Sequence, residues 1–253
     1  MSSPLLASRR QRLDELLVGR GLFASRSRAR DAIERGTVTV DGAVARKPGQ
    51  PVAPDCLVAI DDPAQAYVSR AALKLIAGLD CFGLDPSGSE ALDIGASTGG
   101  FTQVLLERRA AHVTAIDVGH GQIHPDIAGD PRVTVIEGLN ARDLTAADLG
   151  GRVPGFLVCD VSFISLKLAL PPALELAGEG AKAILLVKPQ FEAGREAIGK
   201  GGLLKGDAER IAANLRDWLA GVRGWRVLGL QPSPIEGGDG NREFLLAARK
   251  DGR

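Results

Sequence analysis

The chain has 253 residues, 45% of them hydrophobic, with 31 basic side chains balancing 31 acidic ones. That length can bury a sizeable core, and no run of about eighteen apolar residues exists that could cross a membrane as a helix. The opening MSSPLLASRRQR lacks the apolar centre of a secretory signal, so a cytoplasmic protein with no membrane partner is expected.

The net balance conceals an asymmetry. Residues 1–60 carry ten basic against six acidic residues, about +4, leaving about −4 on the remainder. Cys56, Cys81 and Cys159 are odd in number and widely spaced, which fits neither a disulfide framework nor a zinc site, and all three read as small apolar packing residues. His112, His120 and His124 lack metal-ligand spacing, and no metal is expected.

In chain order, residues 9–19 (RRQRLDELLVG) place Leu13, Leu16 and Leu17 at helical spacing before stop signals at Gly19 and Gly21. A second helix follows in SRSRARDAIERG, with Ser25 as N-cap, a stripe of Ala29, Ala32 and Ile33, and Gly36 just past its end. TVTVDGAVARK then alternates about Asp41-Gly42, a dipeptide suited to a two-residue hairpin turn, and PDCLVAI completes a small sheet. A compact α+β domain over 1–60 is predicted, with 61–66 (DDPAQA) as linker and a larger domain over 67–253. Arg26, Arg28, Arg30 and Arg35 fall around the second helix, and Arg46 and Lys47 lie in the hairpin. Such a set is either a solvated face or a phosphate-contacting surface, because arginine offers a bidentate fork to phosphate oxygens.

From Tyr67 the pattern changes to seven short apolar runs, most separated by room for a helix. Alternating strands and helices imply an α/β fold with a mostly parallel sheet covered on both faces. The last two runs are joined only by PSPIEGGDGN, too short for a helical crossover, so the final strand is predicted antiparallel.

In LDIGASTGGF a strand ends in a glycine-containing turn before a helix, where an open α/β sheet binds nucleotide-like ligands. Asp93, Gly95, Ser97, Gly99, Gly100 and Phe101 belong to that stretch. Asp117 ends the second strand, where its carboxylate can accept ribose hydroxyls, and Asn140 follows the third, where an amide can meet an adenine edge. Ser97 replaces the second glycine of a dinucleotide fingerprint, and Asp93 precedes the turn. Both features favour S-adenosylmethionine over a dinucleotide, since a sulfonium ligand brings a positive centre.

Asp160 and Lys188 end neighbouring strands, and Glu243 opens the antiparallel last one, so all three reach one edge of the sheet. Lys74 lies on a helix before the first strand. Methyl transfer to a hydroxyl needs the oxygen deprotonated as it meets the methyl carbon. Lys188 is the candidate base, with Lys74 and Asp160 orienting the hydroxyl and Glu243 holding one lysine.

These motifs resemble the TlyA family of rRNA 2′-O-methyltransferases, also labelled hemolysin A, whose catalytic domain resembles the FtsJ/RrmJ methyltransferases. RLDELLVGRGLFASRSRARDAIERGTVTVDG resembles an S-four-like RNA-binding domain. LDIGASTGGFTQVLL, DVGHGQ, CDVSFISL, LVKPQFEAGREAIGKGG and PSPIEGGDGNREFLL resemble the family's consecutive signatures. The resemblance implies a Rossmann-like class I methyltransferase sheet of seven strands, the last antiparallel, and a catalytic tetrad on Lys74, Asp160, Lys188 and Glu243. It also implies S-adenosylmethionine contacts at Gly99, Phe101, Asp117 and Asp160, and 2′-O-methylation of cytidine in the ribosomal RNA of one or both ribosomal subunits. The family's paired glycines before the first lysine are here Ala71-Ala72, which removes the option of positive φ. Competing readings are an RNA-binding module with a non-catalytic methyltransferase fold and a membrane-active haemolysin.

Overall fold

The computed structural model describes residues 10–252. Arg9 and the rest of residues 1–9 at the start of the 1–60 domain, and Arg253 at the end of 67–253, lie outside the described residues. The chain forms two compact units that divide between Gln65 and Ala66.

In the first unit, α1 spans Leu13–Gly19 and α2 Arg26–Arg35. The helix expected from Arg9 starts four residues later. Gln11–Arg12 instead pairs with Pro51–Val52, and the Leu13 and Asp14 amides donate to Gln50 O and Pro48 O. Ser25 caps α2 by accepting from Arg28 N at 3.3 Å, and Gly36 ends it at φ 77°. Val38–Val40 and Ala43–Val44 form the hairpin, with Asp41 and Gly42 both at positive φ, and Val58–Ile60 joins its other side. Leu13, Leu17, Phe23, Ile33 and Val38 fill the core. The stretch read as a linker carries contacts of its own: the buried Asp62 carboxylate accepts two hydrogen bonds from Arg35, and Pro63–Ala66 is a 3-10 turn.

The second unit holds one seven-stranded sheet: β1 (Glu90–Ile94), β2 (His112–Asp117), β3 (Val133–Glu137), β4 (Phe156–Cys159), β5 (Lys182–Val187), β6 (Trp225–Pro232) and β7 (Phe244–Lys250). Their order is β6-β7-β5-β4-β1-β2-β3, with β7 antiparallel to both neighbours. Alternate residues of β5 serve opposite faces. Leu185 and Val187 join Leu166, Leu170 and Leu215, whereas Ile184 and Leu186 join Leu75, Leu79 and Leu105. On the second face lie α3 (Ala72–Phe82) and α4 (Gly100–Glu107), and on the first lies α5 (Ala208–Ala220). Gly78 lets α3 approach β5, since a Cβ there would sit 3.0 Å from Ile184 Cγ2. Ala71 is right-handed helical at φ −55°, so replacing the family's glycine there introduces no backbone strain. Cys56 and Cys159 are buried as expected, but Cys81 is exposed, because it falls on the outer side of α3.

The sheet order reverses between β1 and β4, and the strands on each side of that point run parallel. Their carboxyl ends therefore open a crevice, and the turns that follow line it.

Candidate active site

At the end of β1 the chain turns through Gly95 (φ 82°), Ser97 (φ 48°) and Gly99 (φ 93°) into α4. Gly95 N and Ala96 N both donate to Ile116 O, tying the turn to β2. Asp117, at the end of β2, braces it further: Oδ2 accepts from Ser97 N at 2.8 Å and Oδ1 from Gly119 N at 2.7 Å. A Cβ on Gly95 would lie 3.0 Å from Asp160 O, so only glycine lets these two strand ends meet.

A cavity of about 840 Å³ opens over this turn, within the size range of small-molecule sites. Gly95, Ser97, Asp117, Asn140 and Asp160 line it, with Phe163 at one wall. Asn140 Oδ1 accepts from Arg142 N at 3.1 Å, which leaves the side-chain amino group as its free donor. A carboxylate at the end of β2 and an amide donor after β3 suit the ribose and base of an adenosine moiety, and this donor set fits S-adenosylmethionine.

The remaining residues of the motif stand elsewhere. Asp93 is fully buried beneath the turn, where Oδ2 accepts from Thr102 Oγ1 at 2.6 Å. Burial pushes its carboxyl up to about 7; the Thr102 bond opposes that rise, while Asp160 and Asp117 add to it. Asp93 thus ties β1 to α4 and does not reach the cavity. Phe101 is packed in the core between α3, α4 and the sheet. Gly99 and Gly100 shape the start of α4 without lining the cavity, and Gly100 makes room for Ser69, whose Cβ would lie 2.8 Å from an added Cβ. Asp93, Gly99, Gly100 and Phe101, expected from the sequence as donor contacts, thus belong to the framework of the turn and of α4, where Asp93 and Phe101 are buried and Gly99 and Gly100 open the helix.

The four charged residues join in two pairs. Lys188, at the end of β5, holds Asp160 Oδ1 at 2.6 Å and donates to Ser162 Oγ at 2.8 Å. Lys74, on α3, donates to Glu243 Oε2 at 2.5 Å, both side chains being buried. The register Val187↔Phe244 sets Lys188 and Glu243 at the same end of the β5–β7 ladder. Ser162 has no counterpart in the sequence reading, although its place two residues after Asp160 carried the signal. The glycine-rich segment after Lys188 is also held. Ile198 bridges Leu204, and Asn241 fastens the turn by donating to Gly202 O at 3.0 Å and accepting from Leu204 N at 2.9 Å.

Of the candidate RNA contacts in the first unit, Arg26, Arg30, Arg46 and Lys47 are exposed, and Arg28 and Arg35 are half-buried. Arg26 pairs with the buried Asp14 at 3.3 Å and with Glu15 at 3.4 Å, and Arg28 donates to Ala64 O at 3.1 Å. Two arginines, Arg12 first and Arg26 second, hold the Asp14 carboxyl below its usual range. Arg35, expected as an RNA contact, has its guanidinium engaged by Asp31 at 2.9 Å and by both oxygens of Asp62, and its side chain is 14% exposed.

A family model described as FtsJ-like methyltransferase matches residues 67–250, and one for the S4 domain matches 11–55. The 16S/23S rRNA (cytidine-2′-O)-methyltransferase TlyA of Mycobacterium tuberculosis is 44% identical over 248 residues, spanning 96% of this chain and 91% of that protein. Hemolysin A of Brachyspira hyodysenteriae is 36% identical over 236 residues, spanning 92% of this chain and 98% of that protein. The solved structure of a Streptococcus thermophilus protein with a provisional hemolysin label aligns with a TM-score of 0.72 at 38% identity, covering 97% of this chain and 90% of that one.

Proposed function

We propose, from the premise that this chain belongs to the FtsJ-like methyltransferase family, that it methylates the 2′-hydroxyl of a cytidine in ribosomal RNA, with ribosomal subunits as substrates. It is a methyltransferase of the kind its TlyA relatives represent. The observation that carries the reading is the joining of Lys188 to Asp160 at the rim of the cavity, at 2.6 Å.

S-adenosylmethionine, when bound, supplies a methyl group on a sulfonium centre. Asp117 and Asn140 are the residues we assign to its ribose and adenine, and Gly95 and Ser97 to the turn beneath it. The bound donor would give its methyl carbon to the ribose oxygen and leave as a neutral thioether. The hydroxyl proton must leave, and we assign its uptake to Lys188, beside which Asp160 offsets positive charge. Lys74, held by Glu243, directs a positive charge toward the oxygen as it develops negative character. Among the described residues no group of three or more potential metal ligands is present, and the steps assigned here use side chains alone. A 2′-hydroxyl distinguishes RNA from DNA, and an S4 domain ahead of the methyltransferase unit suits delivery of a folded RNA.

The test is transfer of radiolabelled methyl to separated, unmodified ribosomal subunits by wild type and Lys188→Ala, with the product mapped by resistance to alkaline cleavage. Ribose methylation lost in the variant, with S-adenosylhomocysteine binding retained, supports the reading. Labelling of a base, or full activity in the variant, overturns it. No helix among the described residues is long and apolar enough to cross a membrane.

A further inference from the structure

Resting on that reading, we propose that Glu192 is a positioning residue for methyl transfer: it locks the loop from Asp160 to Leu166 in the conformation that carries Asp160 and Ser162 into the site.

This loop forms much of the cavity wall, through Asp160, Ser162, Phe163 and Ser165. It also contains a strained residue. Phe163 has φ 65°, in the left-handed region, which disfavours a bulky side chain. The residue is 89% exposed, so burial does not hold the backbone there. Such a conformation persists only where its surroundings over-determine it.

The restraint comes from one short stretch, Lys188 to Glu192. At its start, Lys188 Nζ grips Asp160 Oδ1 at 2.6 Å and Ser162 Oγ at 2.8 Å. In its middle, the Phe191 ring meets the Phe163 ring at 5.0 Å between centroids, tilted by 48°. At its end, both oxygens of Glu192 are engaged: Oε2 accepts from Ser165 Oγ at 2.5 Å and Oε1 from Leu166 N at 2.7 Å. The stretch itself is one helical turn with Pro189 at its first position, which fixes φ there. The loop is therefore fastened at both ends to a rigid piece, with the strained Phe163 between the two fastenings. Without Glu192 the loop pivots about Lys188, Phe163 relaxes toward negative φ, and Asp160 and Ser162 shift relative to the donor.

Four measurements on the full chain test this: the melting temperature, S-adenosylhomocysteine affinity by calorimetry, kcat and KM with ribosomal subunits, and amide hydrogen exchange. Glu192→Ala is expected to lower kcat at least tenfold and to weaken S-adenosylhomocysteine about tenfold. Exchange should speed up at residues 161–166, with β1 and α4 unaltered. Glu192→Gln should recover most of the loss, because its oxygen still accepts from Leu166 N and its amino group can donate to Ser165 Oγ. Ser165→Ala, which removes one of the two bonds, should lower kcat at least threefold, and it keeps the proposal testable if Glu192→Ala does not fold. Wild-type kcat and affinity in folded Glu192→Ala, or in Ser165→Ala where the first variant is not folded, overturn the proposal. If wild type transfers no methyl to ribosomal RNA but Glu192→Ala still weakens S-adenosylhomocysteine and loosens 161–166, the substrate reading fails and the clamp stands. If wild type methylates and the variants match it, the clamp fails and the reading stands.

Discussion

Lys74 and Glu243 lie 169 residues apart in the chain and meet at 2.5 Å, in a pair that is almost wholly removed from solvent. Removing one partner of a buried pair strands the other charge, which typically costs about 3–5 kcal/mol. Glu243→Ala should therefore lower the stability of the methyltransferase unit by about that much as well as its activity. The double change Lys74→Met with Glu243→Leu should restore most of the stability and none of the activity. Denaturant unfolding of wild type, Glu243→Ala and the double variant checks this; a double variant no more stable than Glu243→Ala contradicts it.

Asp93 gives a pH dependence with a definite sign. Its carboxyl is raised from 3.8 to about 7 by burial. Between those values the folded chain binds a proton that the unfolded chain has released, so this group's contribution to stability falls as pH rises from about 4 to about 7 and is level outside that window. Asp93→Asn keeps an acceptor for Thr102 and cannot ionise, so its stability profile should be flatter across the same range. Unfolding measured at half-unit steps from pH 4 to 8 compares the two; parallel profiles would contradict the assignment.

The basic residues of the first unit should separate into two kinds. Arg30→Ala and Lys47→Ala change exposed side chains and should weaken RNA binding, each reducing the slope of log affinity against log salt by about one for a lost phosphate contact. Arg35→Ala instead leaves the buried Asp62 carboxylate without its bidentate partner and should destabilise its unit by about 3 kcal/mol. Salt-dependent binding and thermal unfolding of all three variants test the division, and an Arg35 variant that unfolds like wild type removes it.

Gly95→Ala probes the crevice directly. It places a side chain at φ 82° and brings its Cβ to 3.0 Å from Asp160 O, where the left-handed backbone alone costs about 1–2 kcal/mol. The substitution should weaken S-adenosylhomocysteine at least tenfold by pushing the Asp160 loop away from the turn. Calorimetric affinity within twofold of wild type would show that the strand ends can part without loss.

The features readable in the sequence were those set by local pattern. The Asp41-Gly42 hairpin follows from a two-residue turn between alternating strands, and the seven apolar runs appear as seven strands. The edge occupied by Asp160, Lys188 and Glu243 follows from strand direction alone. Who pairs with whom does not, because Lys74 meets Glu243 only after α3 packs beside β5 and β7. The depth of Asp93 is hidden from the sequence for a related reason. Residue type marks it as acidic and near the turn, but the alternation of side chains in a strand covered on both faces sends it under α4. Arg35 looks like its neighbours in sequence, and only the fold brings Asp62 to it.

The placement of β7 also sets an order of events during synthesis. β6 is made before β7, yet β7 is its sole neighbour and stands between it and β5. A nascent chain that has reached residue 240 already contains the five parallel strands and every residue of the cavity lining, which ends at Phe191. Lys74 then still lacks its carboxylate. Truncation after Phe191 and before Glu243 therefore keeps every residue of the cavity lining while removing the carboxylate that pairs with Lys74.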